Sequence, residues 1–280
     1  MSNENFIRVS RQTPCPVCGK PDWCGVSADG VWCVCMRVES GRRTKNGGWL
    51  HAAGAVTAGA PRPSPPPPCD RRLLDPAAYH AALRKTWDWH WADGLALSLG
   101  VDCEAVERLD PVYDPMHRAF AFPMRDADGR TVGVRLRNAD GRKWAVRGSR
   151  EGAFIPAGGF AGRELVVCEG PTDTAAALTL GLPAVGRPSC AGATEVIRGI
   201  CVRMRATLVT IVADHDDLKR RPDGSAWRPG IAGAADLGRA LRRQYRVVVP
   251  PAKDIRQWVC EGATRETFDA LADSAQRRLV

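Results

Sequence analysis

Two apolar runs that each end in acidic residues constrain the possible folds of this 280-residue chain more than any other feature. The first is Arg163-Glu-Leu-Val-Val-Cys168, which breaks at Glu169 and continues through Gly170 to Asp173. The second is Thr207-Leu-Val-Thr-Ile-Val-Ala213, which breaks at four polar residues beginning with Asp214. Short Val/Ile/Leu runs with helix-like segments between and after them predict buried parallel strands of an α/β sheet.

The acidic residues at the ends of these runs predict a cation site. In open α/β sheets, functional groups collect at the carboxyl ends of the strands, so Glu169 and Asp214 should project from neighbouring strand ends. Asp216 should point to the same side as Asp214, because strand side chains alternate with a period of two. Carboxylates crowded in this way repel one another unless a cation neutralises them, and their hard oxygen atoms suit Mg²⁺.

The acidic pattern also carries a resemblance. Glu-Gly-x-x-Asp closing one strand and Asp-x-Asp closing a later one resemble the TOPRIM fold shared by topoisomerases and bacterial primases. The resemblance implies that Glu169, Asp214 and Asp216 are catalytic ligands of Mg²⁺ or Mn²⁺, with Asp173 beside them. It also implies a substrate- or template-side role for Asp254, which lies where such primases place another acidic residue. An isolated Asp-x-Asp is more often a solvated turn, so the order of the acidic positions carries the argument.

Charge and hydropathy narrow the class of partner. The chain has 40 Lys and Arg against 31 Asp and Glu and a pI near 9.2, which favours a polyanionic partner such as nucleic acid. Nine Arg or Lys and three Asp fall between Arg118 and Arg150, a net charge of +6. There is no apolar run of membrane-spanning length and no signal-peptide pattern, so we expect a cytoplasmic protein without a membrane partner.

Five cysteines between residues 15 and 35 predict a metal site, because cytoplasmic thiols stay reduced. Cys15 and Cys18 have the Cys-x₂-Cys spacing of a zinc knuckle. The run resembles the zinc ribbons at the front of bacterial and phage primases, although Cys33-Val-Cys35 departs from their second Cys-x₂-Cys pair. The favoured Zn²⁺ ligands are Cys15, Cys18, Cys24 and Cys35, with Cys33 as the alternative. A disulfide cluster is the competing explanation.

A basic segment precedes the acidic strands. Apolar and polar residues alternate on both sides of Asp128-Gly129, which predicts a hairpin. Arg135 and Arg137 share one strand face, and on charge alone this could be an ordinary solvated surface. The segment resembles the basic subdomain of primases, which implies that Arg135, Arg137 and Lys143 contact the phosphates of template and nucleotide.

The fold class expected from these patterns is α/β: a TOPRIM-type, mainly parallel sheet flanked by helices, preceded by a small basic α+β subdomain and an N-terminal zinc ribbon. The expected domains are a template-binding zinc ribbon (1–53), a Pro/Ala/Gly-rich linker (54–69), the basic primase subdomain (70–158), the TOPRIM catalytic core (159–262) and a C-terminal helix (263–280).

The order of these modules implies a DNA-dependent primase, a nucleotidyltransferase that makes short RNA primers on single-stranded DNA from nucleoside triphosphates. Because the chain ends soon after the core, a replicative helicase is expected to be a separate protein. A TOPRIM nuclease would use the same acidic residues through a metal-bound water. Cleavage and religation would need a nucleophilic tyrosine, and Tyr79, Tyr113 and Tyr245 lie in unpromising contexts. A non-catalytic zinc-ribbon DNA-binding adaptor is the third alternative.

Overall fold

The computed structural model describes residues 6–44, 47–53, 74–88, 90–220 and 224–278. The linker predicted for 54–69 lies outside the described residues. The chain divides into two compact units, Met1–Arg71 and Arg72–Val280. Of the helices in the described ranges, none has the length and hydropathy needed to span a bilayer.

The small unit is built around one antiparallel sheet. Its strands, in the order β1-β2-β3-β4, are β1 (Phe6–Arg8), β2 (Gly25–Ser27), β3 (Trp32–Cys35) and β4 (Trp49–Ala52). The buried core of this unit consists of Val9 and four cysteines, with a few half-buried side chains around them. A core of this size stabilises little by itself, so such a unit needs an additional constraint such as a bound metal.

The larger unit begins with helices and a second antiparallel sheet. Its first elements are α1 (Pro76–Arg84), α2 (His90–Leu99), α3 (Cys103–Glu107), β5 (Val112–Asp114), β6 (Ala119–Arg125), β7 (Thr131–Asn138) and β8 (Lys143–Ala145). The four strands pair in sequence order, and β6 and β7 form the predicted hairpin around Asp128-Gly129. Val134 and Leu136 of β7 are buried, whereas Arg135 and Arg137 lie on the other face. The alternation of residues in the sequence therefore produces one apolar and one basic face.

The remainder of the larger unit is a parallel sheet with helices. Its elements are β9 (Glu164–Glu169), α4 (Pro171–Thr179), β10 (Ala184–Arg187), α5 (Thr194–Arg203), β11 (Leu208–Val212), β12 (Lys219–Arg220), β13 (Ala226–Trp227), α6 (Pro229–Leu241), β14 (Gln244–Val248), α7 (Ile255–Cys260) and α8 (Arg265–Ser274). The sheet order is β10-β9-β11-β14 and every pair is parallel. The short strands β12 and β13 pair separately. The two apolar runs are neighbouring strands, as predicted.

Helices cover both faces of the parallel sheet. Val166 and Cys168 of β9 pack into a core with residues of α4 and α8, whereas Leu165 and Val167 face residues of α5 and α6. Burial on both faces explains why β9 and β11 read as continuous apolar runs. The predicted α/β class, with a parallel sheet flanked by helices and an antiparallel sheet at the N-terminus, is confirmed.

A short extended segment joins the antiparallel and parallel sheets. Ala153 exchanges backbone hydrogen bonds of 2.7 and 2.8 Å with Arg125 at the end of β6. The next residue, Phe154, exchanges bonds of 2.7 and 3.0 Å with Gly186 of β10. Phe122 of β6 and Phe154 pack edge to face within the core shared with α4. The antiparallel sheet is therefore fixed to β10 of the parallel sheet.

Candidate active site

Glu169 lies at the carboxyl end of β9, where the chain turns directly into α4. Gly170 makes this turn with a φ of +85°, a conformation that residues with a Cβ rarely adopt. Pro171 begins α4, where its missing N–H removes no helical hydrogen bond. Asp173 follows in the first turn and is 6% exposed. The Glu-Gly-x-x-Asp pattern therefore places two carboxylates at one strand-to-helix corner, close to a helix N-terminus that favours negative charge.

The second acidic segment differs from the prediction in its backbone. β11 ends at Val212, so Asp214 and Asp216 follow the strand and the argument from strand alternation is wrong for them. Asp216 is held instead by the start of α6, because the Gly230 N–H donates to its Oδ2 at 2.7 Å. A Cβ at Gly230 would lie 2.9 Å from the Asp214 carbonyl oxygen, so glycine permits this approach. The intervening His215 is exposed.

Asp254 has a structural role of its own. It lies beyond β14, the strand next to β11, and it is the N-cap of α7. Its carboxylate accepts a hydrogen bond of 2.7 Å from the Gln257 N–H. Such caps stabilise helices by about 1 kcal/mol. Because Asp254 follows the carboxyl end of β14, its charge lies at the same edge of the parallel sheet as Glu169 and Asp214.

The acidic residues act on one another, as their pKa values show. Burial raises the pKa of Asp214 to about 7, and the charges of Glu169 and Asp254 add to the shift. Burial also raises the pKa of Asp173 well above its ordinary value, again with Asp254 contributing. The pKa of Glu169 is raised by burial, and the Asp216 charge acts in the same direction. The five carboxylates therefore form one electrostatic group, here called the acidic edge.

The acidic edge fits a divalent cation. The Oδ1 atom of Asp173 is buried and has no hydrogen-bond partner among the described residues. A buried carboxylate oxygen without a partner is costly unless a cation neutralises it. Within the described ranges, a group of four cysteines has three or more ligand atoms all within 4.8 Å of one another, and these carboxylates do not form such a group. An open set of oxygens suits Mg²⁺ or Mn²⁺ that keeps waters and takes further ligands from phosphates.

Changing Asp214 to Asn is expected to stabilise the protein against heat at pH 8 when no divalent cation is added. Folding raises the pKa of Asp214 from 3.8 to about 7, so the folded protein favours the protonated carboxyl. The associated stability is full below pH 4 and is lost as the pH rises through 7. At pH 8, Asp214→Asn should therefore be more stable than the parent by on the order of 2 kcal/mol, allowing for partial solvent screening.

Thermal unfolding at pH 4.5 and pH 8 measures this effect. Asp217→Asn is the matched control, because Asp217 is exposed beside the acidic edge. The control should shift the Tm little at either pH. A Tm difference between Asp214→Asn and the parent that is the same at both pH values would show that Asp214 is not held in a charge-disfavouring site.

Two of the three predicted phosphate-binding residues lie at the acidic edge. Arg137 Nη1 donates to Thr172 Oγ1 in the first turn of α4 at 3.1 Å. Lys143 is paired with Arg137 across β7 and β8, and its charge opposes the upward pKa shift of Asp214. Arg135 lies two residues away on the same face of β7, paired with Ala145. Within the described residues, no hydrogen bond or ion pair joins Arg135 to a carboxylate.

The sequence analysis missed Arg187, a buried cation beside Glu169. Arg187 ends β10 and lies opposite Glu169 in the register of β9 and β10. It is 1% exposed, and its Nη1 donates to the Gly233 carbonyl oxygen at 3.2 Å. Burial lowers the pKa of Arg187, while the Glu169 charge opposes that shift. The available signal in the sequence is an arginine that closes the apolar run Ala184-Val-Gly.

Four cysteines of the small unit converge on one point. The sulfur atoms of Cys15, Cys18, Cys24 and Cys35 all lie within 4.8 Å of one another. Neighbouring sulfur pairs are 3.7 Å apart for Cys18 and Cys24 and 4.0 Å apart for Cys24 and Cys35. Four sulfurs at ~2.3 Å from a tetrahedral Zn²⁺ would stand ~3.8 Å apart. The donor set therefore fits zinc, and none of the ten described cysteines is joined in a disulfide.

Local geometry favours the thiolate at Cys15, whereas burial raises the pKa of Cys24 to about 12 and also raises the pKa of Cys35. Burial disfavours the charged form of Cys15, but backbone N–H groups of Cys18 and Val17 outweigh it and lower its pKa to about 7. The Cys35 sulfur accepts from the Arg37 and Val38 N–H groups at 3.4 and 3.3 Å. Cys33 is fully buried, with its sulfur 3.5 Å from that of Cys15, but it lies outside the four-sulfur group.

Comparison with known proteins supports the fold. No family model matches the sequence, and no curated protein matches it either. The catalytic core of Escherichia coli primase is similar in structure, with a TM-score of 0.54 and 15% identity over 72% of this chain and 79% of that chain. The Aquifex aeolicus primase structure with zinc-binding and RNA polymerase domains also has a TM-score of 0.54, with 15% identity over 74% of this chain and 63% of that chain.

A third similar structure is the RNA polymerase domain of Mycobacterium tuberculosis primase DnaG, solved in complex with double-stranded DNA. Its TM-score is 0.51, with 16% identity over 73% of this chain and 80% of that chain. Identities this low establish architecture and leave the activity to be argued from the site. On these comparisons, the chain has the mixed α/β fold of bacterial primase catalytic cores.

Proposed function

We propose that this protein is a DNA-dependent primase, a TOPRIM-type nucleotidyltransferase that makes short RNA primers on single-stranded DNA from nucleoside triphosphates. The observation that carries the proposal is the meeting of opposite charges at one sheet edge. Glu169, Asp214 and Asp216 gather at the carboxyl ends of parallel strands, while Arg137 and Lys143 reach the same edge from the basic sheet. Nucleotidyl transfer needs both, because a cation site and a phosphate-binding site must be adjacent.

The carboxylates divide into ligands and supporting groups. Glu169, Asp214 and Asp216 would hold Mg²⁺ or Mn²⁺, and Asp173 would lie beside them as a further catalytic residue with its unpartnered Oδ1. When bound, the cation would activate the attacking 3′-hydroxyl and neutralise charge on the transferring phosphate. Asp254 would act from the substrate and template side while capping α7.

The basic residues position phosphates. Thr172 fixes the Arg137 guanidinium through a 3.1 Å hydrogen bond, so the remaining N–H groups can form a fork for phosphate oxygens. Lys143 is exposed and supplies a point charge on the neighbouring strand. Arg135 would extend the same basic face along the template. Side chains that are already oriented lower the free-energy barrier to nucleotidyl transfer, because they lose little further entropy when the substrate binds.

The rest of the proposal concerns modules and partners. Residues 1–53 would be a zinc ribbon that reads template DNA, 54–69 a linker, 70–158 the basic subdomain, 159–262 the catalytic core and 263–280 the C-terminal helix. A replicative helicase would be a partner in the cytoplasm. The four-cysteine cluster supports the ribbon, and Cys15, Cys18, Cys24 and Cys35 would bind its Zn²⁺.

Incubation with single-stranded DNA, labelled ribonucleoside triphosphates and Mg²⁺ tests the proposal against its alternatives. A primase makes new short oligomers that depend on the template. A nuclease shortens the DNA and makes no new oligomers, and an adaptor binds the DNA without changing it. DNA shortening without synthesis, or binding alone, would refute the proposed function.

Lys143→Ala is expected to raise the apparent KM for nucleotide or template about tenfold, because one charge-assisted contact to phosphate is lost. The maximal rate should change less than the KM. Steady-state kinetics with each substrate varied in turn would measure both constants. Lys85→Ala is the matched control, since Lys85 is exposed at the end of α1. Unchanged KM values for both substrates would contradict the role given to Lys143.

A further inference from the structure

A cleft of about 790 Å³ lies within the larger unit, between the antiparallel sheet and helices α2 and α7. Its walls include Tyr113 and Phe120 of β5 and β6, and Arg137 of β7. Arg256 of α7 closes another side. The volume is in the range of small-molecule sites. The catalytic proposal uses only Arg137 among these residues, so the rest of the cleft has no assigned role.

One wall of the cleft is an aromatic platform. Tyr113 and Phe120 are paired in register across β5 and β6, with ring centroids 5.4 Å apart at 66°. Trp91 of α2 stacks on Tyr113 with a centroid distance of 4.2 Å and an interplanar angle of 6°. Tyr113 and Phe120 are both half-buried, so each ring keeps some surface outside the core. A rigid set of rings such as this is the usual surface on which nucleobases stack.

The cleft is also positively charged. The described residues that line it include three arginines, Arg118, Arg137 and Arg256, and one acidic residue, Asp140. Arg118 is exposed at the start of β6. Arginine guanidinium groups match phosphate oxygens in geometry as well as in charge. The charge of the lining therefore favours an anionic ligand.

A histidine at the cleft wall is held in place by a buried carboxylate. His117 Nδ1 is hydrogen bonded to Asp114 Oδ2, and Tyr79 OH donates to the same oxygen. Asp114 is 2% exposed and also accepts from the N–H groups of Met116 and His117. Such a network fixes the orientation of the imidazole. Of these three residues, His117 lines the cleft, so the network holds one polar side chain of the cleft wall in a fixed position.

Arg137 links the cleft to the acidic edge, because it lines the cleft and also bonds Thr172. Burial raises the pKa of Asp173, and the charge of Arg256 opposes that shift. Arg137 itself bonds Thr172 beside Asp173. A ligand whose phosphate lies between Arg137 and Arg256 would therefore have one end at the acidic edge and the other against the aromatic platform.

We propose that this cleft binds one nucleotide unit, with its base stacked against Tyr113 and Phe120 and its phosphate held by Arg118, Arg137 and Arg256. The inference rests on the proposed function, because that function is the reason for choosing a nucleotide as the anionic ligand. The nucleotide can come from two sources, a unit of the single-stranded template or a free nucleoside triphosphate.

Equilibrium binding to the full chain tests the inference with two probes, ATP and a fluorescent single-stranded DNA of about 12 nucleotides without triphosphates. Arg118→Gln and Tyr113→Ala should each weaken binding of the true ligand about tenfold. Tyr113→Phe should bind like the parent, because it keeps the ring. Arg130→Gln and Phe160→Ala are matched controls outside the cleft. Loss confined to DNA identifies a template unit, and loss confined to ATP identifies the incoming nucleotide.

Photocrosslinking of the unmodified protein gives a readout that does not depend on a variant folding. A 4-thiothymidine-containing DNA or 8-azido-ATP should label the segment 108–125, which carries Tyr113, His117 and Phe120. Parent-like affinity of Arg118→Gln for both probes, together with crosslinks that avoid this segment, would overturn the inference. A protein that crosslinks here but makes no primers would refute the proposed function and leave the nucleotide cleft standing.

Discussion

Asp214→Asn should lower primer synthesis by about 10³-fold while the fold and the affinity for DNA survive. The substitution keeps the shape of the side chain but removes a negative charge from the acidic edge, where Asp214 is coupled to Glu169 and Asp254. The affinity for DNA should stay equal or rise, because one repulsive charge near the phosphates is gone. Synthesis rates at saturating nucleotide and fluorescence anisotropy with labelled DNA measure the two effects separately.

The same argument extends to Glu169. Glu169→Gln should also reduce synthesis by orders of magnitude, and the double variant should lose little more than either single one. Residues that act as one unit show such non-additivity. Asp217→Asn, an exposed neighbour, should remain close to the parent. Near-parental synthesis by Asp214→Asn in Mg²⁺ would mean that the acidic edge is not the catalytic centre.

Replacing Cys15 and Cys18 by Ser should remove bound zinc completely and unfold the small unit. Its apolar core contains little besides Val9 and the cysteines themselves, so zinc binding must supply most of its stability. Zinc content should fall from one per chain to none by metal analysis, and the first 53 residues should become sensitive to protease. If the parent protein, purified under reducing conditions, contained no zinc by metal analysis, the assignment would be contradicted.

Single substitutions of Cys24 and Cys33 show which of these two cysteines binds zinc. Cys24→Ser should lose zinc, because its sulfur lies between those of Cys18 and Cys35. Cys33→Ser should retain zinc, since the Cys33 sulfur lies 3.5 Å from that of Cys15 but outside the four-sulfur group. The opposite result would make Cys33 the ligand and Cys24 the spare cysteine.

Local sequence predicted the parallel strands because burial on both faces leaves a continuous apolar run, as in Leu165–Cys168. It predicted the hairpin around Asp128-Gly129 because alternation and a turn signal occur together. It failed for the backbone at Asp216, since nothing in the run Thr207–Ala213 marks where the strand ends. Contact with Gly230, 14 residues away, holds that carboxylate instead.

Features that depend on distant contacts could not be found in the same way. The position of Arg187 beside Glu169 follows from strand order, because β10 lies at the edge of the sheet next to β9. The nucleotide cleft combines residues as far apart as Tyr113 and Arg256. The choice between Cys24 and Cys33 depends on how β2 and β3 pair, which spacing alone leaves open.

The most direct test of the central claim is synthesis from γ-³²P-labelled nucleoside triphosphates on a single-stranded DNA template. Initiation joins two triphosphates: the 3′-hydroxyl of the first attacks the α-phosphorus of the second, and pyrophosphate leaves. The first nucleotide therefore keeps its γ-phosphate, whereas nucleotides added later lose theirs. The account predicts short γ-labelled oligomers with the parent protein and none with Asp214→Asn. Absence of γ-labelled oligomers with the zinc-loaded parent protein in Mg²⁺ or Mn²⁺, on templates of varied sequence, would contradict it.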